Sequence, residues 1–361
     1  MTLEDLQQDI RRLDVELVNC LDRRFQLARR LAALKREGGL PPPDLGQAEA
    51  FLTELPGWSD GSTPPASLER FWRLLLSDTL ALEEEALSDL AEGNLLPPTT
   101  RAKRRFPARI RENIHLGPEL VWLRLTFSHP PYFQPGQFFQ LGLAPNQTDP
   151  FLARPFAPVA HFPDGLAFVF TRTGRGTRFL ANLPPGTELG LLAPLGNSYR
   201  LEGQENTAVL LGGGVGGPSL APLAAALCSR KVETILFLGA RDSRRLPDRG
   251  LFPTDLEVHY ATDDGSRGFS GHLPAALAAW RQGAGKGRSF RLYACGPLPL
   301  LKAVAAFARL EGIDCQVSME ERMACGLGAC AGCAVPLGGN YQRVCREGPV
   351  FMAGQVEWDK L

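Results

Sequence analysis

Near the C-terminus, Cys325, Cys330 and Cys333 are spaced C-x4-C-x2-C, and Cys345 follows after eleven more residues. Four thiolates in this order suit a [2Fe–2S] cluster. Gly326, Gly328, Ala329, Ala331 and Gly332 lie between them and carry almost no side chain. The backbone is therefore free to fold tightly and aim N–H groups at sulfur, contacts that help to set a cluster's potential. A zinc ribbon would pair two C-x2-C knuckles, and only Cys330 and Cys333 form one. Disulfides between thiols this close would be strained, and nothing marks the chain as secreted. Iron–sulfur is the expectation.

Other residues with chemical potential lie upstream. Arg154-Pro155-Phe156-Ala157 resembles the R-P/Y-x-S flavin signature of the ferredoxin reductase family. That resemblance implies that Arg154 meets the FAD pyrophosphate and that Val169, Phe170 and Thr171 flank the isoalloxazine. Gly174-Arg-Gly176-Thr177 would add backbone N–H groups and a hydroxyl to the same anion. Ala157 stands where the family has a serine facing flavin N5, so flavin chemistry is expected to differ while FAD binding survives. Gly212-Gly213-Gly214-Val-Gly216-Gly217-Pro218 follows an apolar strand and opens a helix, where glycines let a dinucleotide phosphate approach. Arg241 would suit a 2′-phosphate and Asp242 a 2′-hydroxyl, leaving NADH and NADPH both open. Cys295-Gly296-Pro297 resembles the nicotinamide-side turn of the same reductases, with an ordinary buried thiol as the alternative.

These residues need elements to hold them. The 361 residues predict two or three units, and 44% hydrophobic content suffices for ordinary cores. With 39 basic and 39 acidic residues, no net field favours nucleic acid or an anionic bilayer. No apolar run is long enough to cross a membrane, and Met-Thr-Leu-Glu-Asp-Leu does not begin a signal peptide. Cys20, Cys228, Cys295 and Cys315 are scattered, which fits reduced thiols in the cytoplasm.

Leu3, Leu6, Ile10, Leu13, Leu17, Leu21, Ala28 and Leu31 recur at helical spacing and predict one helix over 3–37. At about 1.5 Å per residue this rod is about 50 Å long, and it cannot cover its own apolar stripe. Gly38, Gly39 and Pro41-Pro42-Pro43 stop it; shorter helices are expected at 47–55 and 67–90. Ile10, Leu13-Asp14, Arg23-Arg24-Phe25, Lys35 and Asp44 resemble the all-helical chorismate mutase family, whose protomers interlock as a dimer. The resemblance implies that Arg24 and Lys35 match two of the cations that hold the substrate, Asp44 meets a hydroxyl, Thr79 replaces a serine and Glu83 sits at the ether oxygen. Gln7 replaces an arginine and Ala48 a glutamate of that site. Losing such charge-assisted contacts costs a few kcal/mol of binding, so a dimerisation or effector-sensing module is expected rather than a working mutase.

The organisation expected is multidomain: an all-α N-terminal domain (1–92), a linker (93–104), a β-barrel FAD domain (105–203), an α/β parallel-sheet nucleotide domain (204–314) and a small [2Fe–2S] domain (315–361). Over roughly 104–361 the series R-P-x-x, G-x-G-T, G-G-G-x-G, C-G-P and M-E-E-R-M before the first cluster thiol resembles the electron transfer subunits of class 1B dihydroorotate dehydrogenase. The resemblance implies that NAD(P)H reduces FAD, and that the cluster relays single electrons to an FMN-containing catalytic subunit. A reductase serving a ferredoxin, sulfide or hydrogenase partner is the alternative, as is a bifunctional protein with an active mutase.

Overall fold

The computed structural model describes residues 104–361 except 118, 129–130, 132, 143–148, 163, 202 and 204–205. Towards the N-terminus it describes residues 6, 9, 13, 16, 17, 20, 21, 24, 27, 64, 68, 71 and 72. The chain divides into two compact units, Met1–Arg101 and Ala102–Leu361. In the first, Leu6, Leu13, Leu17, Leu21, Arg24 and Leu27 are helical, as are Leu68, Phe71 and Trp72. The expected helix ends, the linker, and Gln7, Lys35, Asp44, Ala48, Thr79 and Glu83 lie outside the described residues, apart from Arg104.

In the second unit, the described residues up to Leu195 form a seven-stranded antiparallel sheet with strands β1 (Arg104–Leu116), β2 (Leu120–Thr126), β3 (Phe138–Gly142), β4 (Arg154–Phe156), β5 (Pro158–Phe162), β6 (Gly165–Thr171) and β7 (Glu188–Leu195). A seven-residue helix, α1 (Arg175–Ala181), precedes β7. β2 shows why it is a strand: Val121, Leu123 and Leu125 are buried while Trp122 and Arg124 alternate outward. The strand order is β4-β3-β7-β1-β2-β6-β5. Its two edge strands, β4 and β5, are consecutive in the chain and separated only by Ala157. The sheet must therefore curl until these two edges come together at Ala157, the curvature that the expected barrel requires. β1 starts at Arg104 and pairs with β7, inside the segment that reads as linker.

The second sheet is β11-β10-β9-β8-β12-β13-β16, comprising β8 (Thr207–Gly213), β9 (Glu233–Ala240), β10 (Glu257–Thr262), β11 (Phe269–Ser270), β12 (Arg291–Cys295), β13 (Cys315–Ser318) and β16 (Val350–Met352). Every residue of β8 is buried, as a parallel strand covered on both faces requires. α2 (Gly216–Ser219) and α3 (Ala221–Ser229) cover one face, with Leu220 between them and Leu223 and Leu227 from α3 in the core. α4 (Leu273–Gln282) and α5 (Leu298–Glu311) supply Leu277, Trp280 and Val304 to the other. β13 runs parallel to β12, and β16 pairs antiparallel with β13. The segment expected to begin the cluster domain at Cys315 thus continues the nucleotide sheet, and the chain returns to that sheet after the last cluster thiol. A two-stranded hairpin, β14 (Ala334–Leu337) and β15 (Asn340–Arg343), lies between the third and fourth thiols.

From β8 the sheet grows through β9 to one side and through β12 to the other. The switch in direction falls between Gly212 of β8 and Cys295 of β12, which are register partners. Open α/β sheets bind ligands outside the carboxyl ends of their strands at such a point.

Candidate functional site

A cleft of about 360 Å³ opens at that switch point. The barrel contributes Pro155, Phe156 and Ala157 at the seam, Val169, Phe170 and Thr171 from β6, and Thr177 from α1. The parallel sheet contributes Val215, Ser219 and Cys295, and the run before the first cluster thiol adds Ser318, Met319, Glu320, Glu321 and Met323. Motifs more than a hundred residues apart in the chain therefore share one wall. Phe156 and Phe170 pack against each other with centroids 4.9 Å apart and planes tilted by 30°, and both line the cleft.

Arg154 and the G-x-G-T turn meet directly. A methyl group on Gly176 would lie 2.3 Å from Arg154 Nε, so only glycine admits the guanidinium here. Arg154 Nη1 donates to the Leu152 carbonyl. The Thr177 hydroxyl accepts from the Gly174 N–H at 3.0 Å and donates to the Gly174 carbonyl at 3.1 Å. That hydroxyl, assigned by resemblance to a phosphate, here closes the cap of α1.

The glycine loop and the C-G-P turn interlock in the same way. A methyl at Gly216 would come within 2.5 Å of the Cys295 carbonyl, and one at Gly213 within 3.2 Å of Pro297. Gly214 has φ +55° and Gly296 φ +151°, where glycine is favoured. The Cys295 sulfur lies 3.1 Å from Ser219 Oγ. Burial, with a further push from Glu320, raises its thiol to about 12 against the pull of Ser219 and Ser318. Cys295 is thus a neutral thiol at physiological pH, shaped to position rather than attack. Glu320 lines the cleft, and desolvation of its carboxyl there pushes it above the usual carboxylate range.

A second cavity of about 660 Å³ shares Val169 with the first and is walled by Gly214, Pro218, Trp122, Arg244, Arg245 and Leu251. Asp242 accepts from the Arg244 N–H at 3.0 Å and pairs with Arg245. Its carboxylate is taken up by the 3-10 turn Ser243–Arg245, while Arg241 is exposed. Arg244 and Arg245 are the cavity's cations, and the sequence reading passed over them although the Ser243-Arg244-Arg245 run signals them.

The four thiols form two pairs. The Cys330 N–H points at Cys325 Sγ at 3.5 Å, and the Cys345 N–H at Cys333 Sγ at 3.4 Å. Among the described residues no three His, Cys, Asp or Glu side chains converge on one metal position. Two thiolates for each of two irons is the arrangement a [2Fe–2S] cluster uses. The loop is shaped for it: Gly326, Gly328 and Ala331 have φ of +65°, +79° and +53°. The N–H groups of Leu327 and Cys330 point at Cys325 Sγ (3.4 and 3.5 Å), and that of Gly328 at Cys345 Sγ (3.2 Å). Although burial alone would raise the Cys325 thiol, the N–H groups of Cys330, Leu327 and Ala329 hold it down to about 6. Cys333 and Cys345 are buried while Cys330 is exposed, so one edge of the loop faces the core and the other solvent. These donors fit the cluster that the spacing implies.

Two residues that the sequence reading missed hold this loop in place. Arg343 Nη1 donates to the Gly328 carbonyl at 2.9 Å while its Nε bonds Glu347 at 3.0 Å. Asn197, just past the barrel, donates to the carbonyls of Glu347 and Val350 (2.9 and 2.8 Å) and accepts from the Val350 N–H at 2.9 Å. In the N-terminal unit, the Arg24 guanidinium lies 5.5 Å from the Trp72 ring centroid, a cation–π distance.

Comparison with known proteins agrees with this geometry. The family described as the iron-sulfur cluster binding domain of dihydroorotate dehydrogenase B matches residues 320–357. The family described as chorismate mutase type II matches residues 6–84. The dihydroorotate dehydrogenase B (NAD(+)) electron transfer subunit of Geobacillus kaustophilus is 38% identical over 233 residues, covering 62% of this chain and 86% of the relative. That of Desulforamulus reducens is 36% identical over 235 residues, covering 62% and 87%. Among solved structures, one reported for an NADH-dependent reduced ferredoxin-NADP oxidoreductase in flavin-based electron bifurcation superposes with a TM-score of 0.63. It is 26% identical, covering 70% of this chain and 91% of that one. Among the described residues no helix is long and apolar enough to cross a membrane.

Proposed function

The chain belongs to the family of dihydroorotate dehydrogenase B electron transfer subunits, and on that premise we propose how its residues carry electrons from NAD(P)H to an FMN-containing catalytic subunit in pyrimidine biosynthesis. One observation supports the reading above others: flavin motif, glycine loop, C-G-P turn and the run leading to the cluster line a single cleft. FAD, when bound, accepts a hydride and gives up electrons singly, and the chain's task is to position and tune it. Arg154 against Gly176 provides the anion contact, and Phe156 and Phe170 the apolar platform. The Gly212–Gly217 loop receives the dinucleotide phosphate and the Cys295 turn the nicotinamide side, with Arg244 and Arg245 beside the second cavity for the rest of the dinucleotide. Cys325 with Cys330 and Cys333 with Cys345 grip the two irons, and the exposed Cys330 edge is where the partner draws electrons.

The finer assignments are part of the same proposal. The N-terminal unit is an all-α module that joins two copies of the chain: Leu6, Leu13, Leu17 and Leu27 fall along one helical stripe and are 42%, 62%, 48% and 63% exposed. Its mutase pocket is degenerate because of Gln7 and Ala48, and the protein works in the cytoplasm. A second reading, a reductase for a ferredoxin-type acceptor, is favoured only by the solved structure of TM-score 0.63. Mixing the chain with an FMN-containing dihydroorotate dehydrogenase separates the two. NAD+ reduction driven by dihydroorotate should require both proteins; a partner indifferent to this chain would remove the proposal.

A further inference from the structure

One polar side chain between barrel and cluster loop takes no part in the contacts of the cleft. Gln140 sits on β3, only 3% exposed, with its backbone in register with Pro155 of the flavin motif on β4. Its Nε2 is buried and has no hydrogen-bond partner among the described residues. A buried amide donor without an acceptor is costly, and native structures rarely keep one without a reason. The direction of the amide supplies the reason. A methyl at Gly326, the residue directly after the ligand Cys325, would lie 2.6 Å from Gln140 Nε2, 2.8 Å from its Cδ and 3.0 Å from its Cγ. Gly326 also has φ +65°, so the cluster loop is bent and stripped of a side chain where the amide arrives. Along the rest of the loop, sulfur is met by backbone N–H groups from Leu327, Gly328 and Cys330. From the barrel, the Gln140 side chain reaches this loop at Gly326.

We propose that Gln140 is a positioning residue for the iron–sulfur centre: its amide donates a hydrogen bond to cluster sulfur from the flavin side and makes the cluster easier to reduce. Donors to sulfur stabilise the extra negative charge of the reduced state, so removing one drives the potential down. No cysteine sulfur is a partner of Nε2, so the acceptor is an inorganic sulfide of the cluster, and no covalent bond is made or broken.

The inference rests on reading the four thiols as a [2Fe–2S] site, and the test separates the two. The full chain and its Gln140→Leu and Gln140→Glu variants would be purified anaerobically and followed by EPR during a redox titration. Unaltered protein lacking a cluster signal would overturn the underlying reading. With that signal present, Gln140→Leu should lower the reduced-to-oxidised ratio at fixed potential about tenfold, about 59 mV for one electron. It should also lose one exchangeable-deuteron coupling to the cluster. Gln140→Glu keeps the shape, replaces the donor by an acceptor, and should shift the ratio in the same direction even if the leucine variant folds poorly. Wild-type midpoint and deuteron coupling in the variant that folds, or a shift confined to the flavin, would overturn the proposal.

Discussion

Among single residues, the tightest constraint falls on Gly176. Because a methyl there would overlap the Arg154 guanidinium, Gly176→Ala should displace Arg154 and weaken FAD about tenfold, ~1.4 kcal/mol. Fluorescence titration of the FAD-free chain measures this, and unchanged affinity would mean that Arg154 does not hold the cofactor. Glu320 makes a prediction in pH. Its carboxyl is pushed up by its surroundings, so the folded chain holds that proton more tightly than the unfolded chain does. Stability should therefore fall as pH rises from the ordinary glutamate value, about 4.3, towards the raised one. Glu320→Gln should flatten that slope in thermal unfolding of the FAD-free protein, and an unchanged slope would assign it to other groups. Cysteine spacing, the Arg-Pro pair and the glycine runs were legible because each pattern is complete within one short stretch of sequence. Gln140, Asn197 and Arg343 were not. Each acts through a partner that folding brings alongside, and nothing in the local sequence tells such an amide or guanidinium from one that simply faces water.

Among the elements, β2, β3, β6 and β7 of the barrel and β8, β9, β10 and β12 of the parallel sheet were legible as apolar runs, whereas β1, β4 and β5 were not. What stayed hidden follows from pairing. β13 reads as the start of a separate cluster segment, and only its register with β12 shows that it extends the nucleotide sheet. α5 follows the C-G-P turn, with two prolines at its start; the sequence reading stopped at the turn. The return strand β16 depends on Asn197, which ties the end of the barrel to the segment after Cys345 through three hydrogen bonds. Asn197→Ala should leave those backbone groups poorly satisfied and cost ~1–3 kcal/mol. Iron content should fall with it, because Cys345 is set by the same segment. A variant with normal stability and iron content would show that the tie is dispensable.

For the whole molecule, the two units call for separate tests. If the stripe of Leu6, Leu13, Leu17 and Leu27 is covered by a second copy, Leu13→Lys with Leu17→Lys should halve the sedimenting mass. The visible spectrum of the redox unit should stay unchanged; an unaltered mass would mean that the stripe is not the interface. The account as a whole depends on electrons leaving a flavin one at a time through two irons. The most direct measurement is low-temperature EPR, with metal analysis, of the anaerobically purified full chain before and after NADH. The account predicts about two irons per chain and a cluster signal that appears on adding NADH. Colourless protein holding zinc, or iron that NADH leaves oxidised while the flavin is reduced, would contradict it.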